Sequence, residues 1–586
     1  MSLVIPVDEY ATDEWYPGFT PAFGHAPFVV EPFRTFSEQD ERRFWFLDFH
    51  CPRGLTPLGT TWLEDCYSWG TQLTAEQMPL PHSRGITQRM AGTHVYAAAI
   101  PVESRYEIEA RSVRMRSHLP GFLQGFKALW NRRVAEIDAG WRYFQGIDVE
   151  RSSLSELGTM LAEARRYAQR AFEIHFEMMY PLLANHLGFT GMCTELGLDP
   201  HEVGTFLQGH DTKIMETDRE LGRLAAAARD AGLGPLFAAT EPERLAGTLA
   251  AAEGGAATAW TSRLRDFLDV YGHRIEGVCD VALPSWIEDP APVLGMVRTL
   301  LLKDTDHDFE AALRQAQVER EAAIDAARSR LTRREQEAFD AGLASVQAAN
   351  FLRWQDDHSH YIDLRVSLPM RRAALGIAEK AGTDRPDDTL FLFWPELDAV
   401  ASGERAYGEF RSIVEVRRQY FAHWHERRAS MPKVLGTVPE AVEDPILTEI
   451  FGLDEHFLRV VTATARAGDG TTLTGVPAAK GRATGVARVL SDAGDLHRLR
   501  PGEVLVCEST SPHWTPAFAA IAACVCDSGG MLSHAAIVGR EYGVPTVTAC
   551  GLATVLVEDG DRVEVDGGRG TVTVVRVGAP AGGSGS

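Results

Sequence analysis

The chain has 586 residues, with 58 Lys and Arg against 81 Asp and Glu, for a formal charge of −23 with histidine neutral. That acidic surplus argues against a surface made to hold nucleic acid or anionic lipid, since such attraction needs basic side chains. At 45% hydrophobic and 24% charged residues the composition is that of ordinary globular protein, long enough for several domains. The longest apolar run, Ala517 to Cys526, is far short of the ~20 residues a membrane span needs. Residues 1–10 lack the basic and apolar regions of a signal peptide, so the expected location is the cytoplasm. Eight cysteines form no CxxC pair, which fits reduced, buried thiols better than a disulfide frame or zinc site, and no metal ligand is assigned.

From about Glu14 to Pro101 aromatics and prolines are dense, including Trp15, Tyr16, Phe19, Phe23 and the run Phe44-Trp45-Phe46. This predicts irregular structure and short strands over a core, and it also suits an aromatic pocket. From about Val102 to Ala349 apolar residues recur at three and four: Ser152-Ser-Leu-Ser-Glu156 opens a capped helix, and Glu310 to Leu343 reads as an antiparallel helix pair. Arg353 to Ala378 and Leu390 to Phe410 read as further largely helical segments. Near Ala465 to Thr472 the periodic signal stops, predicting a flexible connection. Beyond it, short Val/Leu runs at Val486–Leu490, Val504–Cys507, Cys524–Asp527, Thr546–Ala549, Arg562–Val565 and Thr571–Val575 alternate with Gly/Asp turns and two Ala-rich helical stretches. The predicted architecture is multidomain α and α/β. A mainly helical body spans 1–464, a linker 465–474, a small β/α unit 475–577 and a flexible Gly/Ser tail 578–586.

Within the smaller unit lies Asp527-Ser-Gly-Gly-Met-Leu-Ser-His534, followed by Ala-Ala and, further on, Gly543-Val-Pro-Thr546. A strand ends at Asp527, Gly529 and Gly530 let the backbone turn closely, Ser533 caps a helix, and Gly543 with Pro545 ends it. His534 is therefore predicted in the first helical turn, where orphan N–H groups and the positive dipole end favour an anion. A neutral imidazole is a competent nucleophile near neutral pH, so His534 is expected to carry a phosphoryl group. Upstream, Ser511 before Pro512 starts another helix, and Ser509, Thr510 and Ser511 offer hydroxyls either to phosphate oxygens or to plain caps.

With its Gly-Gly-x-x-Ser-His-Ala-Ala signature at 529–536, the stretch Gly475 to Val575 resembles the swivelling phosphohistidine domain of phosphoenolpyruvate-utilising enzymes. The resemblance implies a domain that swings between an ATP-grasp module, which phosphorylates its histidine, and a second module that receives the phosphoryl group. The body is similar, more weakly, to the acceptor-binding domains of rifampicin phosphotransferase and of the catalytic subunit of phenylphosphate synthase and alkylphenol kinases. The matching stretches are His50 to Leu58, Phe206 to Gly209, Phe267 to Arg274, Pro284 to Pro290, His358 to Asp363 and Leu390 to Leu397. No ATP-grasp-like glycine-rich region or Walker A pattern precedes the body, and no residues follow 586 to form a phosphoenolpyruvate-handling barrel. The phenylphosphate synthase arrangement then implies a partner ATP-grasp subunit holding ATP with Mg2+ or Mn2+, and a second half-reaction here, on the hydroxyl of a phenol or alkylphenol. An antibiotic phosphotransferase component and a phosphocarrier relay are the alternatives; the large body weighs against a mere carrier.

A phenol, with a pKa of ~10, is mostly protonated at neutral pH and gains from a general base. His358 and His360, beside Asp356 and Asp357, lie in a segment the resemblance places at the acceptor site. Residues two apart do not share a helix face, so at most one of the two faces substrate. In His273-Arg274, the arginine either clamps phosphoryl oxygens or pairs with Glu276 or Asp280. Arg53, His94, Asp357 and Lys213 are further candidates for substrate contact.

Overall fold

The computed structural model describes residues 3–11, 16–19, 34–252, 254–275, 277–302, 308–442, 444–462, 472–491 and 493–575. The capping signal near Ser152 is real. Ser153 accepts from Glu156 N while the Glu156 carboxylate returns to Ser153 N at 2.7 Å, opening a helix over Leu154–Glu195. Its buried stripe, Leu157, Leu161, Ala164, Ala168, Phe172 and Phe176, follows the helical repeat and forms one wall of the core. A second long helix, Arg105–Gln145, packs on it, and the pair predicted from Glu310 forms as Phe309–Ser329 and Arg333–Ala348.

Two predicted helical stretches are interrupted. The first is a helix over Phe351–Tyr361, started by the Asn350 side chain, and a second over Leu368–Ala381 with a proline in its first turn. Pro369 is tolerated only at such a start, so the turn between them is written into the sequence. The stretch from Leu390 is helical only over Trp394–Ala401, between single 3₁₀ turns.

The first segment contributes strands β1 (Leu3–Ile5), β2 (Phe44–Leu47), β3 (Ser83–Ala91) and β4 (His94–Pro101), joined from the far end of the body by β5 (Val434–Val438). They form an antiparallel sheet in the order β1-β5-β2-β4-β3. The body is therefore closed by a strand more than three hundred residues after its neighbours in the sheet, a long-range pairing that no local pattern announces. Trp15 and Phe23, named above for their aromatic character, lie outside the described residues.

The second unit holds β6 (Thr472–Thr474), β7 (Val476–Ala479), β8 (Arg482–Leu490), β9 (Val504–Cys507), β10 (Ala523–Cys526), β11 (Thr546–Thr548), β12 (Arg562–Asp566) and β13 (Thr571–Val575). Their order is β6-β13-β12-β8-β9-β10-β11-β7, with β8 to β11 parallel and the flanking pairs antiparallel. The six predicted runs all form strands. β6 and β7 are additions: β6 lies inside the stretch expected to be linker, and β7 carries Pro477 at the sheet edge, where a missing N–H is harmless. The linker residues 465–471 and the tail lie outside the described residues. Among the described residues no helix is long and apolar enough to cross a membrane. The architecture is a large helical body joined to a smaller β/α unit.

Candidate active site

His534 opens a helix over His534–Tyr542 that crosses from β10 to β11 and ends at Gly543, whose φ of +65° gives the left-handed cap. Ser533 occupies the N-cap position but makes no cap hydrogen bond; its Oγ is buried without a partner beside the first-turn N–H groups. Thr510 Oγ1 lies 2.8 Å from His534 Nδ1, and Thr515 Oγ1 lies 3.0 Å from Nε2. Thr515 donates its hydrogen to Pro512 O at 2.7 Å, so its oxygen accepts from Nε2–H and the ring's lone pair sits on Nδ1, facing Thr510. Burial, with the Arg274 charge second, pulls the His534 pKa down to about 3, so the ring is neutral throughout the physiological range.

His534 faces a cavity of about 110 Å³ between the two units. At roughly 10–15 Å³ per water this holds about eight waters, the scale of a single-ring compound. Its walls are mainly apolar and rich in aromatics, among them Trp62, Tyr67, Phe172, Phe176, Trp354 and Phe451. Ser509, Thr510, Ser511, Ser533 and Gly529 rim the His534 end, while His50, His175, His358 and Asp363 converge from the body.

Several contacts hold the β/α unit here. Gly529 N, Gly530 N and Leu532 N donate to Phe451 O, Ile450 O and Glu449 O at 3.0, 3.2 and 2.9 Å. Arg428 and Lys433 grip Glu508 at 3.0 and 2.7 Å. Burial alone would raise the Glu508 carboxyl, but these two cations outweigh it and hold it at about 2. Tyr542 Oη donates to Asp218 Oδ2 at 2.5 Å and Gly209 N to Glu541 Oε1 at 3.0 Å, and burial raises both carboxyls to about 7. A side chain at Gly530 would meet Thr448 O and Glu449 O at 2.4 Å. Gly530→Ala is therefore expected to push the loop off the body, lowering phosphoryl transfer by about 10²-fold, as a displacement near 1 Å can. Phosphorylation of His534 should survive, as measured by labelling and by product formation on the same sample.

The body's polar residues divide sharply. His50 Nδ1 lies 2.7 Å from Asp48 Oδ1. With Nδ1–H donated to that carboxylate, Nε2 is left with its lone pair on a residue that lines the cavity, the arrangement of a base oriented by an acid. Burial pulls its pKa down, but the Asp48 charge and hydrogen bond, with Asp363 behind, leave it above 6.5. His358 lines the cavity as expected from its sequence context, yet both its nitrogens are engaged: Nδ1 with Trp354 O at 3.3 Å, Nε2 3.1 Å from Asp363 Oδ2.

The remaining candidates do not reach the cavity wall. His360 stacks edge-on against Tyr361, and Asp357 accepts Lys213 N at the start of the helix Lys213–Asp230, while Lys213 Nζ pairs with Glu216. His273 packs on Trp141. Arg274 lies over Trp286, 4.2 Å from the ring centroid, and donates to Pro512 O at 3.4 Å, so it steadies the turn beneath His534. Arg53 lines a neighbouring cleft with Glu508 and Ser511. His94 is fully buried on β4, with Nε2 2.9 Å from Trp424 O and Nδ1 3.4 Å from Arg428, so it is a structural group. Sequence reasoning missed Thr515, His175, and the partnership of Asp48 with His50. Only the last had a local signal, the i, i+2 spacing of an Asx-type contact.

Residues 174–353 match the rifampicin phosphotransferase fourth domain, and residues 499–570 match the mobile domain of phosphoenolpyruvate-utilising enzymes. The smaller unit thus matches such a mobile domain over most of its length, and the helical body matches the rifampicin phosphotransferase fourth domain over 174–353 alone. Over 563 residues, 92% of this chain and 14% of the relative, it is 30% identical to chondramide synthase of Chondromyces crocatus. Over 426 residues, 69% of this chain and 47% of the relative, it is 29% identical to the uncharacterized phosphotransferase YvkC of Bacillus subtilis. Rifampicin phosphotransferase of Bacillus cereus is 25% identical over 317 residues, 53% of this chain and 34% of its own. The chain spans less than half the length of each of these relatives.

Proposed function

We propose that this chain carries the second half-reaction of an ATP-dependent aryl phosphotransferase. His534 receives a phosphoryl group on an ATP-grasp module supplied by a separate subunit, which holds ATP with Mg2+ or Mn2+, and passes it to the hydroxyl of a phenol-like acceptor. The observation that carries this reading is the meeting of a neutral, threonine-held His534 with a small aromatic cavity on the body. Pockets for small ligands are mostly apolar with a few polar anchors. A volume of about 110 Å³ suits one ring far better than a rifamycin-sized compound.

In the transfer, the P–N bond of phosphohistidine breaks, its electron pair returns to the imidazole, and a P–O bond forms to the acceptor. The acceptor's proton goes to His50 Nε2, whose other nitrogen Asp48 holds. The Ser533 Oγ and the hydroxyls of Ser509 to Ser511 receive the moving group's oxygens, and the Arg274 charge lies close enough to His534 to offset theirs.

The test needs no partner. The purified chain is incubated with phenyl phosphate and isotopically labelled phenol, and label exchange and acid-labile phosphate on His534 are followed. Exchange is expected. Its absence, with His534 still phosphorylated by an ATP-grasp protein, would shift the acceptor to another chemical class and favour an antibiotic or carrier role.

A further inference from the structure

On the body side of the cavity, three donors converge from parts of the chain far apart in sequence. His175 Nδ1, His358 Nε2 and the Asp363 carboxylate lie within 4.8 Å of one another. His358 Nε2 is 3.1 Å and His175 Nδ1 4.0 Å from the carboxylate oxygens. Both nitrogens are buried; His175 Nδ1 has no hydrogen-bond partner, and His358 Nε2 faces only the Asp363 carboxylate.

Trp354 O can only accept, so its 3.3 Å contact fixes the hydrogen of His358 on Nδ1. In the neutral ring Nε2 then turns a lone pair toward a carboxylate, with a second unpartnered imidazole nitrogen alongside. A proton on His358 Nε2 would answer Asp363 alone and leave His175 Nδ1 unpartnered, whereas a metal ion among the three engages all of them. The outer contacts are those that orient metal ligands: a backbone carbonyl holds the far nitrogen of His358, and Ser359 Oγ holds Asp363 Oδ2 at 3.1 Å. We infer that His175, His358 and Asp363 bind one divalent transition-metal ion of the zinc class, with an open coordination position toward the cavity. Two imidazoles and one carboxylate with a free position is a zinc catalytic donor set, and imidazole nitrogen selects such ions over Mg2+.

There the ion would bind the acceptor oxygen and lower the pKa of its hydroxyl, leaving His50 to take the proton. That role rests on the function proposed above; the binding itself does not.

Chelator-treated full-length chain is titrated with Co2+, followed by visible absorption, and with Zn2+, followed by calorimetry. One equivalent should bind, with the d–d spectrum of a four- or five-coordinate nitrogen and oxygen site. Affinity should fall at least 100-fold in His175→Ala and in Asp363→Asn, the second being nearly isosteric should the first not fold. The inference is overturned by no saturable uptake, meaning that a proton alone bridges His358 and Asp363. It is equally overturned by uptake unchanged in both variants, or by uptake lost in Cys507→Ser, which would put the ion among Cys507, Cys524 and Cys526 in the core of the β/α unit. Metal binding without phenol exchange would keep this site and reject the aryl acceptor.

Discussion

Replacing His534 by alanine is expected to abolish phosphoryl labelling and aryl exchange together, with rate losses on the order of 10⁶, as when a covalent nucleophile is removed. The ring sits where a helix leaves its first N–H groups open, and both its nitrogens are held by threonine hydroxyls. Glutamine at 534 keeps polar contact with Thr510 but has no nucleophilic nitrogen, so it should lose as much. Thermal melting of either variant should stay close to that of the parent, separating lost chemistry from lost fold. Because burial and Arg274 hold the imidazole at about 3, no inflection near pH 6.5 should arise from His534. Retained labelling in His534→Ala would move the carrier to another residue.

The second large effect belongs to His50. His50→Ala should leave phosphorylation of His534 intact and slow transfer by about 10²–10⁴-fold, the usual contribution of a general base. The sign of the pH dependence follows from its environment. A base works when deprotonated, and Asp48 keeps the His50 pKa above 6.5 against the opposing pull of burial. Transfer should therefore rise with pH through a midpoint above 6.5 and then level off. Asp48→Asn removes the charge that raises the pKa, so its midpoint should move down while the plateau falls through loss of orientation. An unchanged pH profile in Asp48→Asn would exclude His50 as the titrating group.

The mobile domain is legible because its signals are local. Val/Leu runs separated by Gly and Asp mark β8 to β13, and Ser533 to Gly543 carries both ends of the nucleophile's helix within eleven residues. The body's side of the cavity is legible only as a neighbourhood. His358 stands out beside its own sequence neighbours, yet its contacts are Asp363, just past the end of its helix, and His175, on another helix. Asp357, the obvious acid by adjacency, turns away to cap the helix starting at Lys213. His94, a further candidate for substrate contact by sequence, is part of the core through long-range packing of Trp424 and Arg428 over β4. Alternating periodicities record which face a residue occupies, but not which distant face it meets.

The interface between the units contains two acids, Asp218 on the body and Glu541 on the mobile domain, that burial raises to about 7. When the units part, water reaches both carboxyls and their pKa values fall back toward the ordinary 3.8 and 4.5. Docking thus takes up protons and departure releases them, so the docked state loses stability as pH rises from about 4 to about 7. In the function proposed above, the exchange of the mobile domain between two sites would then also be a proton-coupled conformational equilibrium, with acidity setting how long His534 dwells at the body's cavity.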